Sequence, residues 1–257
     1  RADVEDNELI VTASRNGFAD IVQQLVDLPI DRGVDPSVAD NKPLFAAAVG
    51  RHAEVIKILL RTADRGVSLN AHNGDVLRQI TTWGGEELCL AVVDIAYGNG
   101  LDLAVRNNMF VQLACIRNLP RTLDALLALP PSFHIDPGAN NSQGMLEACS
   151  RGHTDMVYKL LALPPSRGID PGADDNRLLG TAAANGDLKM VQYLLALPPS
   201  RNVDAHDVLN VQEALQKTET ELAIWSALAR AREQTAGLGM DVGDPEQMGD
   251  MGMDTDW

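Results

Sequence analysis

Gly17-Phe18-Ala19-Asp20-Ile21-Val22-Gln23-Gln24-Leu25-Val26 is a ten-residue window whose pattern returns at Arg51, Gly84, Asn118, Gly152, Gly186 and Thr220. Successive starts lie 34, 33, 34, 34, 34 and 34 residues apart. A nearly constant period in this range is the mark of stacked helical repeats, each burying its apolar face against its neighbours. The expected fold is therefore all-α. Such arrays present an extended surface, and the expected role is binding to another macromolecule.

Slots five, six, nine and ten of the windows are apolar in nearly every copy: Ile21, Val22, Leu25 and Val26; Val55, Ile56, Leu59 and Leu60; Met156, Val157, Leu160 and Leu161; Met190, Val191, Leu194 and Leu195. This spacing places the four side chains on one face of a helix. A shorter helix is expected before each window, marked by the small pairs Ala47-Ala48, Ala114-Cys115, Ala148-Cys149 and Ala182-Ala183. Gly at slot one in several copies suits the turn between the two helices, because glycine tolerates positive φ. Leu129-Pro130-Pro131, Leu163-Pro164-Pro165 and Leu197-Pro198-Pro199 then stop each second helix, since proline lacks the backbone donor.

The unit of helix, turn, helix and loop resembles the ankyrin repeat. The clearest copy is Asn41-Lys42-Pro43-Leu44-Phe45-Ala46-Ala47-Ala48 followed by His52-Ala53-Glu54-Val55-Ile56-Lys57-Ile58-Leu59-Leu60. Gly152-His153 keeps the family's Gly-His pair, and Asp136-Pro137-Gly138-Ala139 and Asp170-Pro171-Gly172-Ala173 look like its β-hairpin finger. The resemblance implies an ankyrin-type helical solenoid with short hairpin-like finger loops and extended Pro-rich outer loops. Residues 1–233 would form the solenoid, with repeats near 6–40, 41–73, 74–107, 108–140, 141–175 and 176–207 and a C-terminal cap at 208–233. The charged lead-in Asp3 to Glu8 is expected at the other end, since terminal units must cover an open apolar face. Departures from the family are the single Pro in the signature slot (Pro43), the missing first-helix His, the longer outer loops and a divergent third copy carrying Leu88-Cys89-Leu90-Ala91-Val92-Val93.

Formal charge is −15 over the chain and −6 over residues 234–257, leaving −9 for the repeats. That balance opposes nucleic-acid binding, which rests on phosphate neutralisation. Segment 234–257 has no Lys or Arg and is read as a disordered acidic tail rich in Met and Gly. Its end, with Met251, Met253, Asp254, Asp256 and Trp257, reads either as a solubilising tail or as a short docking motif. Cys89, Cys115 and Cys149 fall at apolar helical slots, which suggests buried thiols in a reducing, cytoplasmic setting. There is no run of 18 apolar residues, so no membrane insertion is expected. The start at Arg1-Ala2-Asp3 suggests a trimmed fragment. His52, His72, His134, His153 and His206 are scattered without metal-ligand spacing, His153 being expected to bond within its own turn. No catalytic, cofactor or metal signature emerges, and the chain is read as non-enzymatic.

The resemblance also assigns a concave binding face, built from finger tips and the last two positions of each first helix. Carried onto this sequence, the helix positions include Arg15, Asn16, Trp83, Arg117, Arg151 and Asn185, and the fingers supply His72, Arg106, Asn140 and Asp174. Arg and Trp are enriched at binding hot spots. A protein partner with an acidic segment, the chain's own tail in cis or trans included, would pair carboxylates with these guanidinium groups. Two further readings stay open: a fixed structural subunit of a larger assembly, and a substrate-adaptor or effector fragment whose catalytic part lies outside these residues.

Overall fold

The computed structural model describes residues 3–29 and 34–203. The expected cap at 208–233 and tail at 234–257 lie outside them. The described residues form α1 (Asp3–Asn16), α2 (Ala19–Val26), α3 (Val38–Gly50), α4 (Ala53–Leu60), α5 (Asp75–Trp83), α6 (Gly85–Asn99), α7 (Val105–Ile116), α8 (Pro120–Leu127), α9 (Ala139–Ser150), α10 (Thr154–Leu161), α11 (Ala173–Ala184) and α12 (Leu188–Leu195). No strand occurs among them, and none of these helices is long and apolar enough to cross a membrane. Consecutive helices pair as α1·α2, α3·α4 and so on to α11·α12. The first helices pack in the order α1, α3, α5, α7, α9, α11, and the second helices α2, α4, α6 and α8 pack on one another in the same way. The all-α expectation holds, with two helices per period.

The apolar slots place the core. Val55, Ile56, Leu59 and Leu60 are buried, as are Met156, Val157, Leu160 and Leu161. The third copy departs less than its sequence suggests. Leu88, Cys89, Val92 and Val93 fill the same four slots and are buried, while α6 runs on to Asn99. Slot five also shows where a neighbour is missing. Ile21 is 41% exposed, whereas its counterparts Val55, Leu88, Thr122, Met156 and Met190 are buried under the preceding repeat. At the inter-helix turn Gly17, Gly152 and Gly186 take φ of 75°, 73° and 71°, with Arg51 and Asn118 left-handed in their copies.

The Pro-rich connections are short 3-10 turns at Pro131–Phe133, Pro165–Arg167 and Pro199–Arg201. Behind them the hairpin finger expected from the resemblance is absent. Asp136 and Asp170 each open a side-chain turn instead, Oδ1 accepting the N–H of Gly138 at 2.8 Å and of Gly172 at 3.0 Å. Pro137 and Pro171 have no N–H to give a strand ladder. The glycines permit a close approach: a Cβ on Gly138 would lie 2.0 Å from the carbonyl oxygen of Gly168.

The chain then makes a left-handed turn of three residues within the first residues of α3, α7, α9 and α11 and just before α5. These are Ala39-Asp40-Asn41, Arg106-Asn107-Asn108, Asn140-Asn141-Ser142 and Asp174-Asp175-Asn176, with φ between 49° and 59°, and His72-Asn73-Gly74. Most L-residues are strained there, and Asn and Asp are the ones that visit it most readily.

Burial raises all three thiols above their ordinary value of 9.0. Cys115 is pushed up to about 12 by burial, Cys89 to about 12 by burial with Glu86 adding to it, and Cys149 to about 11 by burial with Asp187 adding to it. The folded state therefore keeps protons that the unfolded chain releases. That contribution is complete below pH 9 and is lost as pH rises through about 11–12. Denaturation midpoints should fall between pH 8.5 and 10.5 (about two pH units across the onset of thiol ionisation), less steeply in a Cys115→Val variant. Thiol reagent at pH 8 should react only on unfolding. Fast labelling of the native chain would contradict this burial.

Leu160 is fully buried and Leu129 half-buried on a loop shoulder. Leu160→Ala should cost about 2–5 kcal/mol in urea denaturation and Leu129→Ala clearly less. The reverse order would undo the slot assignment.

Candidate functional site

The structure places the candidate residues in two rows at opposite ends of the first helices. Arg15 and Asn16 end α1, Trp83 ends α5, Arg117 and Arg151 cap α7 and α9, and Asn185 caps α11. His72, Arg106, Asn140 and Asp174 open the left-handed turns at the other end. The eight helical residues from Met109 to Ile116 separate the rows by about 12 Å at ~1.5 Å per residue. The finger and helix-end positions that the resemblance assigns to one concave face thus lie at opposite ends of the first helices.

The helix-end row is built around carbonyls. The last carbonyls of a helix have no partner within it. Here a side chain from the next repeat supplies one: His52 Nε2 donates to the carbonyl of Arg15 at 2.9 Å, Trp83 Nε1 to that of Ala48 at 2.9 Å, and Asn185 Nδ2 to that of Cys149 at 2.9 Å. His153 Nε2 lies 3.3 Å from the Ile116 carbonyl, so it ties to the preceding repeat and not to its own turn. Because a carbonyl only accepts, Nε2 is the donor in both contacts. Trp83 is half-buried with its N–H engaged. Arg117 Nη2 donates to Thr82 Oγ1 at 2.9 Å, and Arg151 pairs with Glu147 one helical turn back. Arg15 and Asn16 are exposed; the Asn16 amide donates to the Thr12 carbonyl at 2.9 Å, while no ion pair holds Arg15 among the described residues.

The turn row is a second ladder. Asp40 Oδ2 accepts the backbone N–H of His72 at 2.8 Å, Asn107 Nδ2 donates to Asn140 Oδ1 at 3.2 Å, and Asn141 Nδ2 donates to Asp174 Oδ1 at 3.1 Å. His72 is half-buried and stacked on Phe45, ring centroids 4.1 Å apart. Arg106, Asn140 and Asp174 are exposed, and Arg106 pairs with no carboxylate among the described residues.

Beneath this ladder sits one that residue-type reasoning missed. The third residue of the turn accepts the loop N–H of the next repeat: Asn41 Oδ1 from Ser68 at 2.9 Å, Asn108 Oδ1 from Asp136 at 2.9 Å and Ser142 Oγ from Asp170 at 3.1 Å. Asn7 does the same for Asp35 at 2.7 Å. The signal was present as Asp-Asn, Asn-Gly, Asn-Asn and Asp-Asp-Asn returning with the repeat period.

Among the described residues no cluster of three His, Cys, Asp or Glu side chains is placed to hold a metal ion. The tail residues Met251, Met253, Asp254, Asp256 and Trp257 lie outside the described residues. Comparison of the chain with family models, curated proteins and solved structures gives no match.

Asn108 is buried and Asn140 exposed, and both are left-handed. Replacing each by Gly keeps the backbone preference and removes the side chain alone. Asn108→Gly should cost about 1–3 kcal/mol, the price of an orphaned loop N–H. Asn140→Gly should stay within about 0.5 kcal/mol. Equal losses in chemical denaturation would remove the third-residue bond from its structural role.

Proposed function

We propose that this chain is a non-enzymatic, ankyrin-type binding module that engages another protein through the two edges of its first-helix row. One observation carries the reading: most of the equivalent positions in the two rows, Arg15, Asn16, Arg117, Arg151 and Asn185 in one and Arg106, Asn140 and Asp174 in the other, present exposed polar groups, with the guanidinium groups of Arg15 and Arg106 uncommitted among the described residues. Polar contact points that recur from repeat to repeat suit an extended partner segment. His52, Trp83, Arg117, His153 and Asn185 in one row and His72, Asn140 and Asp174 in the other are tied to a neighbouring repeat, which leaves less ordering to occur on binding.

The partner chemistry that fits is an acidic segment. Arg forks bind carboxylates in a bidentate geometry, and their field acts locally because charges beyond about 8–10 Å are screened at physiological salt. The chain's overall charge of −15 therefore does not decide the contact. Buried thiols at Cys89, Cys115 and Cys149, none in a disulfide, fit a reducing compartment such as the cytoplasm.

A second reading has its own support. Leu9, Phe18, Ile21 and Leu28 are exposed on the first helix pair, and an apolar end face is what a fixed subunit of an assembly would present.

The two readings part in a capture experiment with residues 1–257 and a variant carrying Arg15, Arg106, Arg117 and Arg151→Glu. A module using these edges should lose a captured partner at least tenfold in the variant (about 1.4 kcal/mol or more), with helical circular dichroism unchanged. Equal capture by both chains would remove the arginine edges from the interface.

A further inference from the structure

Among the described residues, an arginine closes the outer-loop turn in three repeats. Arg65 Nη1 donates to the carbonyl of Val26 at 2.7 Å and its Nη2 to that of Val34. Arg201 Nη1 and Nη2 donate to the carbonyls of Leu163 at 3.0 Å and Leu161 at 3.3 Å. Val26 and Leu161 occupy the same slot, the last of their windows, where a helix-ending carbonyl needs an outside donor. Arg167 closes the turn Pro165–Arg167 in the same way, and the corresponding carbonyl is that of Leu127. It makes no such bond: the Arg167 guanidinium has no hydrogen bond or ion pair with any described residue.

A surface cleft of about 520 Å³ lies there instead, between this turn and the preceding one. Arg167, Ser166 and Gly168 line one side, and Leu129, Pro130, Pro131 and Ile135 form an apolar wall opposite. The residue following the turn explains the difference from the next repeat. It is Gly168 in the repeat that Arg201 reaches into, and His134, a residue lining the cleft, in the repeat that Arg167 faces. The walls are fixed in place. Pro130 sits at φ −59° and ψ 154°, the extended polyproline conformation, and Gly138 closes against the carbonyl of Gly168. Asp136 also lines the cleft, but its Oδ1 is held by the Gly138 N–H at 2.8 Å.

We propose that this cleft takes an acidic side chain of an extended partner peptide, together with the apolar residue beside it. This deepens the binding-module reading and rests on it. The guanidinium fork that Arg65 and Arg201 spend on pairs of carbonyl oxygens is available at Arg167, and a carboxylate presents two oxygens in matching geometry. The proline wall offers preformed apolar surface to the neighbouring side chain. The volume lies within the range of about 300–1,000 Å³ typical of ligand pockets.

The probe is a fluorescently labelled acetyl-Leu-Asp-Leu-amide peptide, with the Asn analogue as its control. Both are titrated into residues 1–257 by anisotropy, and the amide resonances of Ser166, Arg167 and Gly168 are followed by NMR. The Asp peptide should shift those resonances, and the Asn peptide should bind at least tenfold more weakly. Arg167→Met should lose at least tenfold in affinity, with Arg167→Lys in between because it keeps the charge without the fork. Arg167→Met should leave the thermal midpoint unchanged, since the side chain holds nothing in the fold, whereas Arg201→Met should lower it. No shift at residues 166–168, or equal binding by wild type and Arg167→Met, overturns the proposal. Either result leaves the module reading standing if the variant at Arg15, Arg106, Arg117 and Arg151 still loses its captured partner, so the two failures are distinct.

Discussion

The side-chain acceptor at the third position of each left-handed turn decides how one repeat meets the next. Asn41, Asn108 and Ser142 each hold a loop N–H of the following repeat, and each sits in backbone that few residues tolerate. Asparagine suits both demands, because it tolerates positive φ and carries a short acceptor; Ser142 fills the role in its repeat. The third repeat tests this by exception. Gly74 keeps the left-handed backbone without an acceptor, and the loop after it is built differently, with α6 extended to Asn99.

These bonds do not hold the stack by energy alone. A hydrogen bond contributes about 0.5–1.5 kcal/mol net, while burying a Leu or Val side chain contributes about 1.5–3 kcal/mol. Four apolar slots per repeat therefore outweigh a single polar tie. What the tie supplies is register, because an apolar face tolerates sliding and a loop N–H aimed at one oxygen does not. The same division of labour appears at the helix ends, where His52, Trp83, His153 and Asn185 meet carbonyls of the previous repeat. The surface rows are rigid for this reason. The side chains between those caps, Arg15 above all, stay exposed on a fixed frame.

This arrangement changes how the candidate residues divide. Trp83 and Asn185 join successive repeats before any partner arrives, Arg117 is tied to Thr82, and Arg151 to Glu147. Arg106 and Arg15 carry no such commitment among the described residues. Among the outer-loop arginines, Arg65 and Arg201 are structural donors and Arg167 is not, although the local sequence around Arg167 and Arg201 is the same Pro-Pro-Ser-Arg.

The sequence by itself determined the period, the two helices in each repeat and the buried slots. Val55, Ile56, Leu59 and Leu60 were legible because helical spacing is a local property. It also carried the left-handed turns in its recurring Asn and Asp, although Asp-Pro-Gly-Ala drew the reading toward a hairpin. Only the tertiary structure decided which polar groups were spent. The indole of Trp83 meets the carbonyl of Ala48, 35 residues earlier, and Arg201 reaches carbonyls 38 and 40 residues back. Such pairs form only when stacking brings distant segments into contact, and no local pattern records them. Whether an arginine faces a carbonyl, like Arg201, or an open cleft, like Arg167, depends on a neighbour one repeat away.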